Sequence, residues 1–178
     1  MPAPTLVGTR VTLRAARGSD VADRVANGRH PEIVRAYGGD GDNITPVTEQ
    51  EAQAWVAQMT ADPRSWVIEY EGRCVGGAGL HSVNEHDARA TYAVGLQVHA
   101  LLGRGLGTEA TRLVLAHAFG ELRLHRVGLR VLAFNERAIR CYTACGFRVE
   151  GRERESARLP DGWHDDLMMG CLASEFIA

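Results

Sequence analysis

Hydrophobic positions along this chain follow two periods, and the switches between them mark its elements. Leu6–Arg14 alternates apolar and polar side chains, the period of a strand with one buried face. Ser19–Asn27 reads as a short helix, followed by a loop rich in glycine and aspartate from Pro31 to Pro46. Thr48 and Glu51 form a capping-box pair opening a second helix, which carries Trp55, Val56 and Met59 and stops before Asp62-Pro63. Ser65–Tyr70 and Arg73–Leu80 read as strands joined by the two-residue turn Glu71-Gly72. After a turn at Asn84–Asp87, Ala90–Val98 reads as the next strand. A helix follows over Thr108–Phe119, with Leu106, Ala110, Leu113, Val114 and His117 at helical spacing. Arg126–Ala133 is then a strand and Asn135–Cys145 a helix; Arg148–Ser156 and Asp165–Cys171 are the last strands, with Pro160-Asp161-Gly162 between them. The order β-α-α-β-β-β-α-β-α-β-β predicts an α/β fold with a mixed sheet of about seven strands flanked by helices. No repeat or linker interrupts it, so one domain is expected over residues 1–178.

Two of the junctions carry chemistry. In Leu101-Leu102-Gly103-Arg104-Gly105-Leu106-Gly107-Thr108, three glycines at alternate positions free the backbone to curl, so that successive N–H groups point into one concavity. The helix that follows adds the partial positive charge of its N-terminus, and the two together suit a pyrophosphate. The chain contains no lysine, which excludes a Walker loop, and the glycine spacing is wrong for a dinucleotide fingerprint. The second junction is Asn135–Phe147. Asn135 is a good N-cap, Gly146 can take the left-handed conformation past the last turn, and Phe147 can fold back toward Tyr142. Ala138 and Tyr142 lie four apart, so a small residue and a phenol share one face and can line a slot.

At 178 residues and 19.4 kDa the chain is long enough for a sizeable core, and 45% hydrophobic content fits a soluble protein. No apolar run reaches transmembrane length and no signal-peptide pattern opens the chain, so a cytoplasmic location without membrane attachment is expected. A net charge of −2 with scattered arginines gives no nucleic-acid footprint. The arginines and glutamates alternating over 148–158 read as a charge-paired, solvated face. Cys74, Cys141, Cys145 and Cys171 form no C-x-x-C pair, so neither a metal nor a redox motif is expected. The absence of lysine removes any Schiff-base chemistry.

The glycine loop followed by Asn-x2-Ala-x3-Tyr-x3-Gly-Phe resembles the two cofactor motifs of the GNAT acyltransferase superfamily, and the order of elements is similar to that fold over the whole chain. Leu13-Arg14, Gly107-Thr108-Glu109-Ala110 and Asp161-Gly162 resemble the branch typified by ribosomal-protein N-terminal acetyltransferases. The resemblance implies acetyl transfer from acetyl-CoA to an amine by direct attack, with the cofactor held where strands 4 and 5 of the fold splay apart. It implies that Leu96, Gln97 and Val98 pair with the pantetheine arm and offer oxyanion donors. Leu102, Gly103, Arg104, Gly105, Leu106, Gly107 and Thr108 would take the pyrophosphate, and Asn135, Ala138 and Tyr142 would line the slot. Leu102 stands where the family usually has Gln or Arg, a mild departure because the loop binds through backbone amides.

Tyr142 is then the candidate general acid, a phenol able to protonate the departing thiolate. No general base is evident: where relatives often carry Glu, this chain has Ala93. His81, Glu85, His86 and His99 are nearby in sequence, and His81, at the end of a central strand, is the candidate. An α-amino group of pKa about 8 is roughly a tenth neutral at pH 7, against about one in a few thousand for a lysine amine near 10.4. Without a strong base, an N-terminal α-amine is therefore the expected acceptor. Asp40, Asp42, Glu49, Glu51 and Asp62, with no basic residue between Arg35 and Arg64, could form a negative wall that attracts a cationic amine or basic peptide, or merely a solvated loop. A small amine such as an antibiotic, polyamine or amino acid is the alternative acceptor. A non-catalytic acyl-CoA sensor is the alternative of another class. A monomer or homodimer is expected.

Overall fold

The computed structural model describes residues 2–178. Its strands are β1 (Leu6–Val7), β2 (Val11–Arg14), β3 (Ser65–Tyr70), β4 (Arg73–Asn84), β5 (Arg89–Leu96), β6 (Arg126–Leu132), β7 (Arg148–Leu159) and β8 (Gly162–Leu172). Its helices are α1 (Asp20–Asn27), α2 (Pro31–Ala36), α3 (Glu49–Ala61), α4 (Leu106–Gly120) and α5 (Glu136–Thr143). The strands form one eight-stranded sheet in the order β1-β2-β3-β4-β5-β6-β8-β7. Every pairing is antiparallel except β5 with β6, which are joined through the crossover helix α4. No helix among the described residues is long and apolar enough to cross a membrane.

The α/β fold and its mixed sheet are as the sequence predicts, with one strand more. Leu6–Arg14 is not continuous: it turns at Gly8, whose N–H bonds the Val11 carbonyl at 2.9 Å, and pairs with itself as β1 and β2. The cause lies far along the chain. The Glu109 carboxylate, in the first turn of α4, accepts from the Arg10 and Val11 N–H groups at 2.7 and 3.2 Å. A Cβ on Gly8 would meet that carboxylate at 2.4 Å, so a larger residue there would have to displace the Glu109 side chain. Within the segment expected to be loop, Pro31–Ala36 is helical, with Pro31 in the first turn and the His30 ring capping the Glu32 N–H. The Thr48–Glu51 capping box forms as expected. The Glu71-Gly72 turn also forms, with positive φ at both residues.

Strand alternation decides what faces what. On β4 and β5 the residues Ala78, Leu80, Ala90 and Tyr92 are buried in the core, which α4 covers with Leu106, Ala110, Val114, Leu115 and Ala118. The other face of the same strands carries Gly77, Gly79, Ala93 and Gly95, cross-paired in register. Trp55 and Met59 of α3 lie directly on Gly77, where an added Cβ would meet them at 3.2 and 3.1 Å, and the other small residues of this face leave a cavity beside that contact. At the far edge, β7 is exposed along nearly its whole length and carries Arg152, paired with Asp165 of β8 at 2.8 Å, and Glu150, paired with Arg126 of β6, the charged face the sequence predicts.

Candidate active site

Strands β5 and β6 pair over only three positions, Arg89–Thr91 with Arg126–Gly128. Beyond them β5 stays with β4 and β6 stays with β8, so the two diverge and leave a V-shaped gap. Just past the end of β5, Gln97 N–H bonds the Val75 carbonyl of β4 at 2.8 Å. By the alternation of strand hydrogen bonds, the N–H groups of Val94 and Leu96 therefore face the gap, unpaired by β6. A free strand edge of this kind can pair with an extended amide-bearing chain.

A cavity of about 590 Å³ fills the gap, and helices α4 and α5 both start at its mouth. Gly103 and Gly105 have φ of 73° and 80°, the left-handed conformation in which glycine carries no Cβ penalty. Gly105 caps α4, and the first helical hydrogen bond runs from Glu109 N–H to the Gly105 carbonyl at 3.0 Å. The amides of Leu106, Gly107 and Thr108 thus have no intrahelical partner and face the cavity. This is the curled concavity expected from the sequence. At α5 the Asn135 side chain accepts from Ala138 N–H at 3.2 Å, and Phe147 N–H returns to the Tyr142 carbonyl at 3.1 Å, the two ends the sequence marks. Gly146 takes a φ of 103°.

Leu96, Leu102, Gly103, Gly105, Leu106, Gly107, Thr108, Asn135, Ala138 and Tyr142 all line this cavity. Three expected residues do not. Gln97 lines a different cavity and gives its amide to β4. Val98 lies beyond the end of β5 and caps a 3-10 turn over His99–Leu101. Arg104 contributes its carbonyl to Arg10 at 2.7 Å. The strand ends two residues earlier than its hydrophobic run, and Val94, not Gln97, joins Leu96 at the gap.

Tyr142 is buried against Tyr92 and Phe147 and reaches the cavity. Burial, with the neighbouring Tyr37 phenol, pushes its pKa above the ordinary value for a phenol, so it carries its proton at neutral pH. Sequence reasoning missed Tyr37. Its ring faces solvent, while its hydroxyl is inserted into the site and donates to the Val94 carbonyl at 2.8 Å. A Cβ on Gly95 would meet that hydroxyl at 2.4 Å, and burial pushes the Tyr37 pKa up to about 12. Nothing local signals this contact, which is set by α2 crossing the gap. Arg137 was also missed. It lines the cavity and makes no ion pair among the described residues, whereas Arg140 pairs with Glu136 at 3.2 Å. A cation in the first turn of a helix opposes the dipole, and that violation was the available signal. With Asp166 the sole carboxylate lining the cavity, beside Arg130, Arg137 and Arg140, the mouth suits a polyphosphate.

The second cavity, about 680 Å³, lies on the glycine-paved face of β4 and β5. It shares Ile33, Tyr37 and Val94–Leu96 with the first, so the two meet across the end of β5. His81 is exposed at its wall and sits opposite Thr91 on β5, at least three positions from Val94, which is about 10 Å at ~3.4 Å per residue. His81 therefore stands well to one side of a group held at Val94, a separation that a water would bridge. Ala93 faces this cavity, so the position where relatives carry Glu offers no base here.

The acidic segment does not form a negative wall. Of its five carboxylates only Asp62 lines the cavity, and it is bound to Arg64. Glu51 caps its own helix and pairs with Arg29 at 2.7 Å, and Asp40 is folded into its own turn. Helix α2 is tied across the site from both sides. Arg35 pairs with Asp161 at 2.5 Å, and Asn135 donates to the Ala36 carbonyl at 3.4 Å. At its start His30 stacks on His99, rings 3.6 Å apart, and His99 Nε2 bonds Glu32 at 2.8 Å, holding that carboxyl below the usual range. Ligand atoms of these three residues lie within 4.8 Å of one another. Nearly parallel rings keep their lone pairs in separate planes, so one ion cannot lie in both without the rings turning.

Residues 10–148 match the model of an acetyltransferase (GNAT) domain. Over 70 residues the chain is 37% identical to "Probable N-acetyltransferase YjcK" of Bacillus subtilis (strain 168), which covers 39% of each protein. Over 88 residues it is 34% identical to the spermidine N(1)-acetyltransferase of Escherichia coli (strain K12), 49% of this chain and 47% of that one. The chain thus matches less than half the length of these two relatives. Among solved structures, a spermidine N-acetyltransferase from Vibrio cholerae in complex with CoA and spermine superposes with a TM-score of 0.76 at 21% identity, over 94% of this chain and 98% of that one. At that identity the likeness carries the fold.

Proposed function

The chain belongs to the GNAT acetyltransferase family, and from that premise we propose that it transfers acetyl from acetyl-CoA to a primary amine, with a peptide or protein N-terminal α-amine as acceptor. The observation that carries this reading is the pair of cavities meeting at Val94–Leu96. One is built for a polyphosphate with an extended amide-bearing arm, and the other is open to a second reactant. In this reading the first-turn amides of α4 hold the pyrophosphate. Leu96 and Val94 pair with the arm, and one of their N–H groups serves the carbonyl oxygen as charge develops on it. The thioester supplies the acetyl group, and Tyr142 supplies the proton that the departing sulfur takes up. Tyr37 braces the Val94 carbonyl and separates the two reactants.

An α-amine as acceptor is supported by the lack of a base at Ala93 and by the distance of His81. An amine already roughly a tenth neutral at pH 7 needs only a water to take its proton, whereas a lysine side chain, neutral about once in a few thousand molecules, needs a base. A cavity walled in part by exposed His81 and Tyr37 is open to solvent, which suits a chain end. A polyamine, the acceptor named for the Escherichia coli relative, would require carboxylates, and this cavity presents only Asp62. Thiol release should be measured at pH 7 with acetyl-CoA, with peptides free at the N-terminus and with lysine peptides blocked there. The expected result is at least a tenfold higher kcat/KM for free N-termini. A preference for lysine side chains or spermidine would sink the assignment of acceptor. Tight CoA binding with no release on any amine would sink the enzyme and favour a sensor.

A further inference from the structure

The second cavity contains a guanidinium with no ion pair among the described residues. Arg24, on α1, lines it beside Arg29, and Asp62 is the one carboxylate in the wall. Arg29 is satisfied by Glu51 at 2.7 Å and by the Thr45 and Pro46 carbonyls, and Asp62 by Arg64. Arg24 has only the Gly28 carbonyl, accepting from Nη1 at 2.9 Å, and no ion pair among the described residues. It is half-buried. Its desolvation, and then the nearby Arg29, lower its pKa, so the charged state is held there at a cost. A guanidinium uses five donors in a planar fork matched to a carboxylate or phosphate, and four of the Arg24 donors lack a protein acceptor.

We propose that the occupant of this cavity carries an anionic group beside its amine, and that Arg24 selects for it. This rests on the acceptor reading of the cavity and deepens it: the acceptor is an amine with a carboxylate, not a polycation. Two sources can supply the carboxylate, an acidic side chain near a peptide N-terminus or the free carboxyl end of an amino acid or dipeptide. Both present the same group to the same fork.

The test uses acceptor pairs that differ in one charge. Ser-Asp-Gly and Ser-Asn-Gly, both amidated at the C-terminus, examine the side-chain source. Dipeptides with a free or amidated C-terminus examine the chain-end source. In the wild-type protein the anionic member of at least one pair is expected to exceed its partner about tenfold in kcat/KM, mostly through KM. In Arg24→Gln that ratio should fall to within about twofold of one, and Arg24→Lys should keep part of it. A wild-type ratio near one in both pairs overturns the proposal, as does a preference that survives in Arg24→Gln with its fold intact by circular dichroism. Calorimetry reads the site without turnover. N-acetyl-Ser-Asp-Gly-amide should bind the CoA-loaded wild type about tenfold more tightly than Arg24→Gln. If that difference appears with no thiol release on any amine, the anion site stands and the transfer reading fails.

Discussion

Burial acts on Tyr142 in two opposed ways. It holds the proton on the phenol, because the phenolate cannot be solvated between Tyr92 and Phe147, and it makes that proton harder to give. The folded pKa lies above the ordinary value near 10, so the group stays protonated through neutral and mildly alkaline pH. Proton transfer from it is therefore driven by the negative charge that develops on the departing sulfur. Tyr142→Phe keeps the ring and its packing and removes the donor. Its kcat is expected to fall about 100-fold or more, with KM for acetyl-CoA changed only a few-fold. Unchanged turnover in a thiol-release assay would remove the role. The phenol's place on the slot was legible, because four-residue spacing on a capped helix fixes a face. Tyr37 was not legible: the contact between its hydroxyl and Val94 spans 57 positions of chain and leaves no local trace.

At the scale of elements, the glycine loop and α4 behave as one device. Gly105 ends the loop in the left-handed region and begins the helix, leaving three amides free. Gly105→Ala should cost about 1–2 kcal/mol from the forced φ alone. It should also raise KM for acetyl-CoA more than it lowers kcat, since tilting the amides weakens a binding contact distant from the chemistry. Thermal melts and steady-state kinetics check the two halves, and an unchanged KM would mean the loop does not hold the cofactor. The helix starts at Thr48 and Asn135 and the Glu71-Gly72 hairpin were readable, because caps and tight turns are satisfied within a few residues. The break in β1–β2 was not, because a carboxylate 99 residues away from Arg10 supplies the acceptor that makes the turn. Helix α2 did offer signals, Pro31 at the start and His30 before it, that the surrounding glycines and aspartates masked.

In the whole molecule the features that resemble one branch of the family turn out to be joints. Arg14 closes β2 and is clamped by Asp20 of α1, at 2.8 and 2.9 Å, and by Glu69 of β3. Asp161 at the β7–β8 turn anchors α2 through Arg35, and Glu109 anchors the first hairpin to α4. The Arg14–Asp20 pair is almost wholly buried. Burial alone would raise the Asp20 pKa, but hydrogen bonds from Arg14 and the Arg17 N–H outweigh it and hold it below the usual value. Its contribution to stability is present in full above the unfolded pKa near 3.9 and is lost as pH falls through the lower folded value. Asp20→Asn should cost about 3 kcal/mol at neutral pH, and the loss of stability on acidification below about pH 4 should be shallower than in the wild type. Urea unfolding at a series of pH values checks both, and parallel curves would mean that Asp20 does not couple folding to protons. The sequence by itself determined the glycine loop and the two helix starts at the first cavity. A phosphate loop and a capped helix are local structures, written in glycine spacing, caps and helical faces within short stretches of chain. The tertiary structure alone decided the second cavity. The splay of β5 from β6, the glycine floor, Tyr37 across the gap and the unpaired Arg24 arise where α1, α2, α3 and the sheet meet. Which charges cancel there depends on distances between elements that no local pattern encodes.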